Sequence, residues 1–320
     1  MTMRILIGYD GSESADAALD DLRRAGLPRE VEALIVSVND GLVDPSSSVA
    51  DIAGSSLTSR RVTSTIALVR EQAAQALEEA KELAAKAGDH VRSSFPDWEV
   101  QTVGLSGGPA TELVNKADEW EADLVVVGSH GRSALGRFML GSVSKKVVTD
   151  SHHSVRVVRG TVKQNGSPPK IMIGVDGSPE AEHAVRAVGM RVWPEATEVR
   201  IIAVDDGTSP ARISSVLPTA SATVTSSNEK VPEAACLMVE WAENELRAIG
   251  LQVSVAIEKD DPQRVLIEEA RKWEANSIFV GGRKFSGAIE RFRLGSVSTA
   301  LATKAHCSVE VVRSVTKSDY

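Results

Sequence analysis

Residues 123–150 have the sequence DLVVVGSHGRSALGRFMLGSVSKKVVTD. A short apolar run is followed by a glycine-containing loop and then, from Val143, by a run with helical character. Glycine lets a backbone turn sharply and approach a ligand closely, and the first N–H groups of a helix attract anions. The stretch therefore predicts a strand, a phosphate-binding loop and a helix start, with Ser142 as the N-cap residue and a hydroxyl donor.

The loop belongs to neither of the two commonest phosphate-binding patterns. It lacks the Gly-Lys-Ser/Thr ending of a Walker A loop, and it lacks the Gly-x-Gly-x-x-Gly order of dinucleotide-binding folds. Its glycines and its serine, placed between a strand and a helix, still favour a phosphate site. A tight strand-to-helix turn without a ligand is the alternative interpretation.

The chain repeats itself over a long period. Residues 4–12, RILIGYDGS, return as KIMIGVDGS at 170–178, and RFMLGSVS at 137–144 returns as RFRLGSVS at 291–298. A period of this length indicates duplicated domains rather than a solenoid of short repeats. We expect one domain at residues 1–160, a linker rich in Gly, Ser and Pro at 161–169, and a second domain at 170–320.

Each copy alternates five strands with four helices, which predicts an α/β fold with a doubly wound, mostly parallel sheet. The first copy is expected to have strands at 4–9, 33–38, 98–103, 124–127 and 155–159, and helices at 12–24, 65–87, 109–120 and 143–149. In the second copy we expect strands at 199–204, 251–257 and 277–280, and a helix at 232–249. Gly88 is expected as a helix C-cap, Asp261 as an N-cap, and residues 41–63 and 207–230 as long loops that act as lids.

Composition excludes several classes of protein. The chain has 320 residues, a formal net charge of −8 and a pI of about 5.4, which argues against a general nucleic-acid or membrane-surface binder. Cys236 and Cys307 are too few for a disulfide framework or a zinc site. His152 and His153 are adjacent, which is poor geometry for one metal ion, so no metal site is expected. No signal sequence or long apolar span is visible, so a cytoplasmic protein is expected.

The spacing of the loop makes a resemblance specific. Gly128 and Gly131 are followed, after nine intervening residues, by Gly141 and Ser142, and this spacing resembles the ATP-binding motif of the universal stress protein family. The resemblance implies two Rossmann-like, adenine nucleotide alpha hydrolase-like domains, each with the strand order 3-2-1-4-5. It also implies ATP as the ligand, with or without Mg²⁺, while AMP and ADP stay open as alternatives.

The resemblance also implies roles for residues of the first copy. Asp10 would accept hydrogen bonds from ribose hydroxyls, and the backbone of Val38 would contact the adenine edge. The phosphates would lie against the following residues: Gly128, Ser129, His130, Gly131, Gly141, Ser142, Val143 and Ser144. Each has a simpler interpretation: Asp10 starts an Asp-Gly turn, Val38 is an ordinary strand end, and His130 is a solvent-facing loop residue.

The second copy departs from the motif. Its corresponding candidates are Asp176, Val204, Gly281, Lys284, Gly295 and Ser296. Lys284, or Phe285 in an alignment without an inserted residue, takes the place of Gly131. A side chain there either blocks close approach of the backbone or supplies a point charge to a phosphate. Nucleotide binding and a structural or regulatory role both stay open for this copy.

The fifth strand of each copy lies at a sheet edge and alternates apolar with charged residues. Arg156 in one and Glu310 in the other suit an intramolecular pseudo-dimer through these strands, and a further homodimer stays open. We expect a nucleotide-dependent stress-response or signalling regulator without catalytic residues. The alternatives are a slow ATP hydrolase, which would need a metal site and a base that the sequence does not show, and a protein-interaction scaffold without nucleotide.

Overall fold

A computed structural model describes residues 2–39, 59–131, 140–159, 167–205, 233–282 and 295–314. Lys284, Phe285, most of the expected linker and all or most of the two expected lid loops lie outside these residues. Among the described residues, no helix is both long enough and apolar enough to cross a membrane.

The two halves contain the same succession of elements. The first half consists of β1 Met3–Gly8, α1 Glu13–Asp21, β2 Val31–Asn39, α2 Ser59–Ser94, β3 Glu99–Ser106, α3 Pro109–Glu119, β4 Leu124–Gly128, α4 Ser142–Asp150 and β5 Ser154–Val158. The second half consists of β6 Lys170–Val175, α5 Pro179–Gly189, β7 Glu198–Asp205, α6 Glu233–Ala248, β8 Gln252–Lys259, α7 Pro262–Lys272, β9 Ser277–Gly281, α8 Ser296–Lys304 and β10 Ser308–Val312.

All ten strands form one sheet, in the order β3-β2-β1-β4-β5-β10-β9-β6-β7-β8. Neighbouring strands within each half are parallel, and each half has the order 3-2-1-4-5, so the predicted fold class is confirmed. The halves join where β5 pairs antiparallel with β10, with Arg156 opposite Glu310. We call this strand pair the seam. It is the intramolecular pairing that the two alternating fifth strands predicted.

Helices cover both faces of the sheet, which is why the central strands are almost continuously apolar. On one face, α3, α4, α7 and α8 pack over a single core that runs across the seam and includes Leu6, Val155, Met172 and Val309. On the other face each half has its own core, under α1 and α2 in the first half and under α5 and α6 in the second. The seam therefore joins the halves through apolar packing as well as through backbone hydrogen bonds.

Helix α2 is longer than predicted. We expected residues 65–87 with Gly88 as the C-cap, and this was wrong, because the helix runs from Ser59 to Ser94. Its buried face continues through Ala84 and Ala87 to Val91 at helical spacing. A Cβ atom on Gly88 would lie 2.5 Å from Cγ2 of Thr102 in β3, so this glycine allows close packing of helix on sheet rather than ending the helix.

Three helix starts agree with the capping signals in the sequence. Ser12, Ser178 and Asp261 are the N-cap residues of α1, α5 and α7, and each side chain accepts a hydrogen bond from the backbone N–H three residues later. These short polar side chains fix where each helix begins relative to the strand before it. In α1 and α5 that point lies beside the end of the first strand of each half.

Candidate functional site

A cavity of about 400 Å³ lies at the carboxyl ends of β1, β2 and β4. This is the point of the half sheet where the strand order reverses, and ligands of such sheets bind there. The following nine predicted site residues line it: Asp10, Val38, Gly128, His130, Gly131, Gly141, Ser142, Val143 and Ser144. The cavity wall also includes Tyr9, Leu83 and Leu113. We did not predict these three, because nothing in the sequence separates them from ordinary core residues.

Ser129, the tenth predicted residue of the first half, does not line this cavity, which we call the first cavity. Its side chain is 3% exposed, and its Oγ lies 2.7 Å from Nδ1 of His130. Ser129 therefore acts on the cavity through its neighbour and its backbone. The simpler interpretation of His130 as a solvent-facing loop residue does not hold, because His130 is only partly exposed and is held through both its side chain and its backbone.

The residues that hold the glycine loop, 128–131, come from the start of α1. Ser12 Oγ donates to the carbonyl of His130 at 3.3 Å, and Ser14 Oγ accepts from the N–H of His130 at 3.1 Å. A Cβ atom on Gly128 would lie 2.6 Å from the carbonyl oxygen of Ser14, so only glycine allows this approach. Neither serine was predicted as a site residue. The signal was present in the Asp-Gly-Ser-x-Ser run after β1.

Asp10 combines the two interpretations offered for it. Its Oδ1 accepts the backbone N–H of Ser12 at 3.0 Å, which makes the turn into α1, and Gly11 takes a left-handed φ of 75° in that turn. The residue also lines the first cavity, where a Cβ atom on Gly131 would lie 3.0 Å from its Oδ2. The carboxylate is thus oriented by the turn and placed opposite the glycine loop.

The start of α4 differs in detail from the prediction. The N-cap residue is Gly141 and not Ser142, because the N–H of Gly141 donates to the carbonyl of Ser129 at 2.8 Å and its backbone is extended. We expected the phosphates to lie against the backbone of Gly141, but its N–H is used in this bond to Ser129 and does not face a ligand. The amides of Ser142, Val143 and Ser144 form the first turn, where N–H groups have no acceptor within the helix.

The hydroxyl of Ser144 has a structural partner. It donates to the carbonyl of Gly128 at 2.6 Å, which ties the first turn of α4 to the end of β4. Ser298 makes the equivalent bond to the carbonyl of Gly281 at 2.9 Å in the second half. Ser142 and Ser144 both belong to the predicted phosphate site. The hydroxyl of Ser144 is occupied by this structural bond, whereas the hydroxyl of Ser142 makes no such bond within the described residues.

A second cavity of about 370 Å³ occupies the same position in the second half. The following five of the predicted residues line it: Asp176, Val204, Gly281, Gly295 and Ser296. Lys284 lies outside the described residues. Glu180 takes the place that Ser14 has in the first half and lines the cavity, so the wall carries an additional acidic residue.

Among the residues that the structure describes, charged side chains contribute little to the first cavity. Among its described lining residues there is no Lys or Arg, and Asp10 is the one acidic side chain. Of the described groups, the backbone amides at the start of α4 are the ones that would attract an anion. No group of three or more His, Cys, Asp or Glu side chains within the described residues has the arrangement of a metal site. His152 and His153 both contact Asp118, at 3.2 and 2.9 Å.

Comparison with known proteins gives the same family twice along the chain. The model of the universal stress protein family matches residues 1–159 and again residues 169–313. The universal stress protein YxiE of Bacillus subtilis is 33% identical over 159 residues, which is half of this chain and all of YxiE. A universal stress protein of Mycolicibacterium smegmatis is 26% identical over 316 residues, 97% of this chain and 96% of its own.

A solved structure extends the likeness to the whole fold. The crystal structure of a universal stress protein from Archaeoglobus fulgidus superposes with a TM-score of 0.63 at 21% identity, over 97% of this chain and 98% of that one. This likeness concerns the fold alone. With the two family matches and the duplicated sheet, it leads to one conclusion: the chain belongs to the universal stress protein family and carries the family's sequence twice in tandem.

Proposed function

We propose that the first half binds an adenine nucleotide, with ATP as the expected ligand, and that the protein is a nucleotide-dependent stress-response or signalling regulator of the cytoplasm. One observation carries the proposal: the first-turn amides of α4, the glycine loop and Asp10 meet around one cavity at the switch point of the half sheet. Its volume of about 400 Å³ lies in the range of small-molecule sites.

The chemistry of the wall suggests how the nucleotide lies. Phosphate groups would bind the amides of Ser142, Val143 and Ser144, where the helix dipole favours negative charge. Asp10 would accept hydrogen bonds from the ribose, and the base would lie by Val38 and Leu113, which are apolar parts of the wall. Among the described residues, Asp10 is the one carboxylate there, so Mg²⁺ would be held mainly by phosphate oxygens and water.

Binding is better supported than turnover. Hydrolysis of ATP needs a positioned water and a group that orients it. His130 is the described lining residue with the right chemistry, but its Nδ1 is 2.7 Å from the buried hydroxyl of Ser129 and its backbone is bonded to α1. A ring held in this way suits the shaping of the loop. We therefore propose a nucleotide-binding protein whose output depends on occupancy, without catalytic residues.

Matched glycine substitutions test the proposal. A Cβ atom on Gly141 would lie 3.4 Å from the carbonyl oxygen of Ser129, and the larger Gly141→Val would place methyl groups beside the first turn of α4. Gly295→Val is the control, since Gly295 is the N-cap residue of α8 in the second half. Equilibrium dialysis with labelled ATP should show that the wild type binds the nucleotide. G141V should weaken this binding by roughly tenfold or more, and G295V should leave the binding to the first half intact.

A second experiment determines which half binds the nucleotide and whether there is more than one site. Photolabelling with an azido-ATP should mark peptides from residues 2–159, and labelling of 167–314 would show that the second half also binds. Absence of binding for ATP, ADP and AMP in the wild type would reject the proposal. Equal affinity of G141V and the wild type would show that nucleotide binds elsewhere.

A further inference from the structure

Two arginines cross between the halves in equivalent positions. Arg159 directly follows β5, and Arg313 directly follows β10. Nη2 of Arg159 donates to the carbonyls of Ala302 and Thr303 in the second half, at 2.8 and 2.7 Å. Arg313 donates in the other direction, to the carbonyls of Val148 and, at 3.0 Å, His153 in the first half. The two side chains are buried to a similar degree, with exposures of 9% and 7%.

Each arginine meets the last turn of one short helix. Val148 lies near the end of α4, and Ala302 lies at the matching position of α8. The last carbonyls of a helix have no acceptor role within it, so a cation that donates to them satisfies those groups and matches the negative end of the dipole. Each half therefore supplies the guanidinium that holds the C-terminus of the other half's helix.

These two helices are the ones whose first turns line the two cavities. Helix α4 has nine residues and a length of about 13 Å, so a displacement of its last turn is transmitted to its first turn. Ser144 ties the first turn to Gly128, and Arg313 holds the other end, so α4 is fixed at two points. Helices α4 and α8 also pack against each other on the same face of the sheet.

We propose that Arg313, in the second half, is a positioning residue for the nucleotide site of the first half, and that Arg159 holds the equivalent helix of the second half. This inference rests on the proposed function. It assigns the second half a task in nucleotide binding that does not depend on its own cavity. The coupling between the halves runs through α4, whose first-turn amides must point into the first cavity to meet a phosphate.

Arg313 contacts backbone carbonyls at the end of a helix rather than a carboxylate. Carbonyl oxygens receive the donors of Arg313, whereas Arg156 at the centre of the seam is paired with the carboxylates of Asp21 and Glu310. Burial lowers the pKa of Arg313 to about 10, so its guanidinium stays protonated at neutral pH. The cation is therefore present at the negative end of α4 under the conditions in which ATP would bind.

The pseudo-symmetry of the chain supplies its own control. Arg313→Gln removes the charge and one or more hydrogen bonds, and Arg313→Lys keeps the charge but loses the planar fork. Arg159→Gln and Arg159→Lys make the same changes at the same seam, but on α8. A merely structural contribution would be similar for both arginines, whereas positioning of the first site belongs to Arg313 alone.

Two measurements on the full chain decide the inference. R313K and R313Q should weaken binding of labelled ATP to the first half by roughly three- to thirtyfold, and R159K and R159Q should leave it within twofold of the wild type. Hydrogen exchange should increase in residues 142–150 for the Arg313 variants and in 296–304 for the Arg159 variants.

The outcomes separate this inference from the proposed function. Wild-type ATP affinity in R313K and R313Q would overturn the inference and leave the proposed function standing. Equal weakening by the Arg159 variants would overturn it too, because it would indicate a general loosening of the seam. A wild-type protein that binds no ATP would reject both. If R313Q does not fold, R313K and its exchange profile decide, and unchanged exchange in 142–150 would refute the positioning role.

Discussion

Arg156 and Glu310 lie directly opposite each other in the seam, with Nη1 and Oε2 3.2 Å apart and both side chains 1% exposed. The two residues occupy the same position in their respective halves, so the approximate twofold axis of the molecule passes between them. If two first halves paired in this register, Arg156 would face a second Arg156 away from water. The opposite charges therefore favour pairing of unlike halves over pairing of like halves.

Removing the Glu310 charge should be strongly destabilising. Glu310 is bonded to both Arg156 and Arg191, so Glu310→Gln leaves two buried guanidinium groups with Asp21 as their remaining carboxylate. We expect the free energy of unfolding in urea to fall by about 3–5 kcal/mol. Glu78→Gln, which breaks an exposed pair with Lys81, should change it by less than about 1 kcal/mol. A similar small effect of both changes would contradict the role given to the buried pair.

Two helical glycines should respond to alanine with opposite signs. Gly88→Ala would bring a methyl group to 2.5 Å from Thr102, so we expect a loss of about 1–3 kcal/mol in the free energy of unfolding. At Gly189, in α5, the nearest atom would be Cδ2 of Leu246 at 3.7 Å, which is an ordinary contact. Gly189→Ala should stabilise by about 0.4–1 kcal/mol. Chemical denaturation measures both, and stabilisation by G88A would show that α2 does not pack so closely on β3.

Acid should weaken the fold through His153. Burial lowers the pKa of His153 below 6.5, and a repulsive contribution from His152 lowers it further, while Asp118 and the backbone of Ala122 oppose the change. The unfolded chain then binds more protons than the folded one between the two pKa values. The contribution of His153 to the free energy of unfolding therefore rises with pH through that window and is lost progressively as the pH falls below 6.5.

Partial desolvation lowers the pKa of His306 as well, with Arg271 adding to the effect and Glu274 opposing it. His306 is exposed at the surface, so its contribution to this dependence should be smaller than that of His153. His153→Gln and His306→Gln should each reduce the slope of unfolding free energy against pH between about 5 and 7, and the double variant should reduce it most. Urea unfolding at several pH values measures the slope. A slope unchanged in the double variant would contradict the assignment.

The two cysteines should differ in reactivity. Burial raises the pKa of the Cys307 thiol to about 12, so only about one thiol in ten thousand is ionised at pH 8. Cys236 in α6 is partly exposed. A disulfide reagent such as DTNB should therefore titrate one thiol in the native protein and two after unfolding in guanidinium chloride. Cys236→Ser should remove the native reaction, and two rapidly reacting native thiols would contradict the burial of Cys307.

Local sequence was sufficient to predict most of the elements, because strands buried on both faces leave apolar runs of recognisable length. The runs at Ile5–Ile7 and Ile171–Ile173 identified both halves, and the expected N-cap at Asp261 located a helix start. The order of the strands came from family resemblance instead, since it depends on contacts between distant parts of the chain. The end of α2 was misjudged because tertiary packing on Thr102 overrides the low helix propensity of Gly88.

The site residues were likewise predictable where they depend on local sequence and not where they depend on contacts between distant residues. Nine of the ten predicted residues of the first half line one cavity, because the ends of neighbouring parallel strands meet at one edge. The errors concern hydrogen bonds between remote residues. Gly141 became the N-cap through its bond to Ser129, and Ser14 holds the amide of His130 across 116 positions of sequence. Such bonds leave no periodic signal, so they were found only once the strands were in place.

The seam also limits how far this architecture can be extended. β5 is paired on one side with β4 and on the other with β10, and β10 is paired likewise with β9 and β5. Each fifth strand is thus paired on both sides and has no free edge for a further strand. A third copy appended to the chain would have no mate for its own fifth strand. Any larger assembly of this protein must consequently grow from helices, loops or the outer strands β3 and β8, and its symmetry is independent of the one that joins the halves.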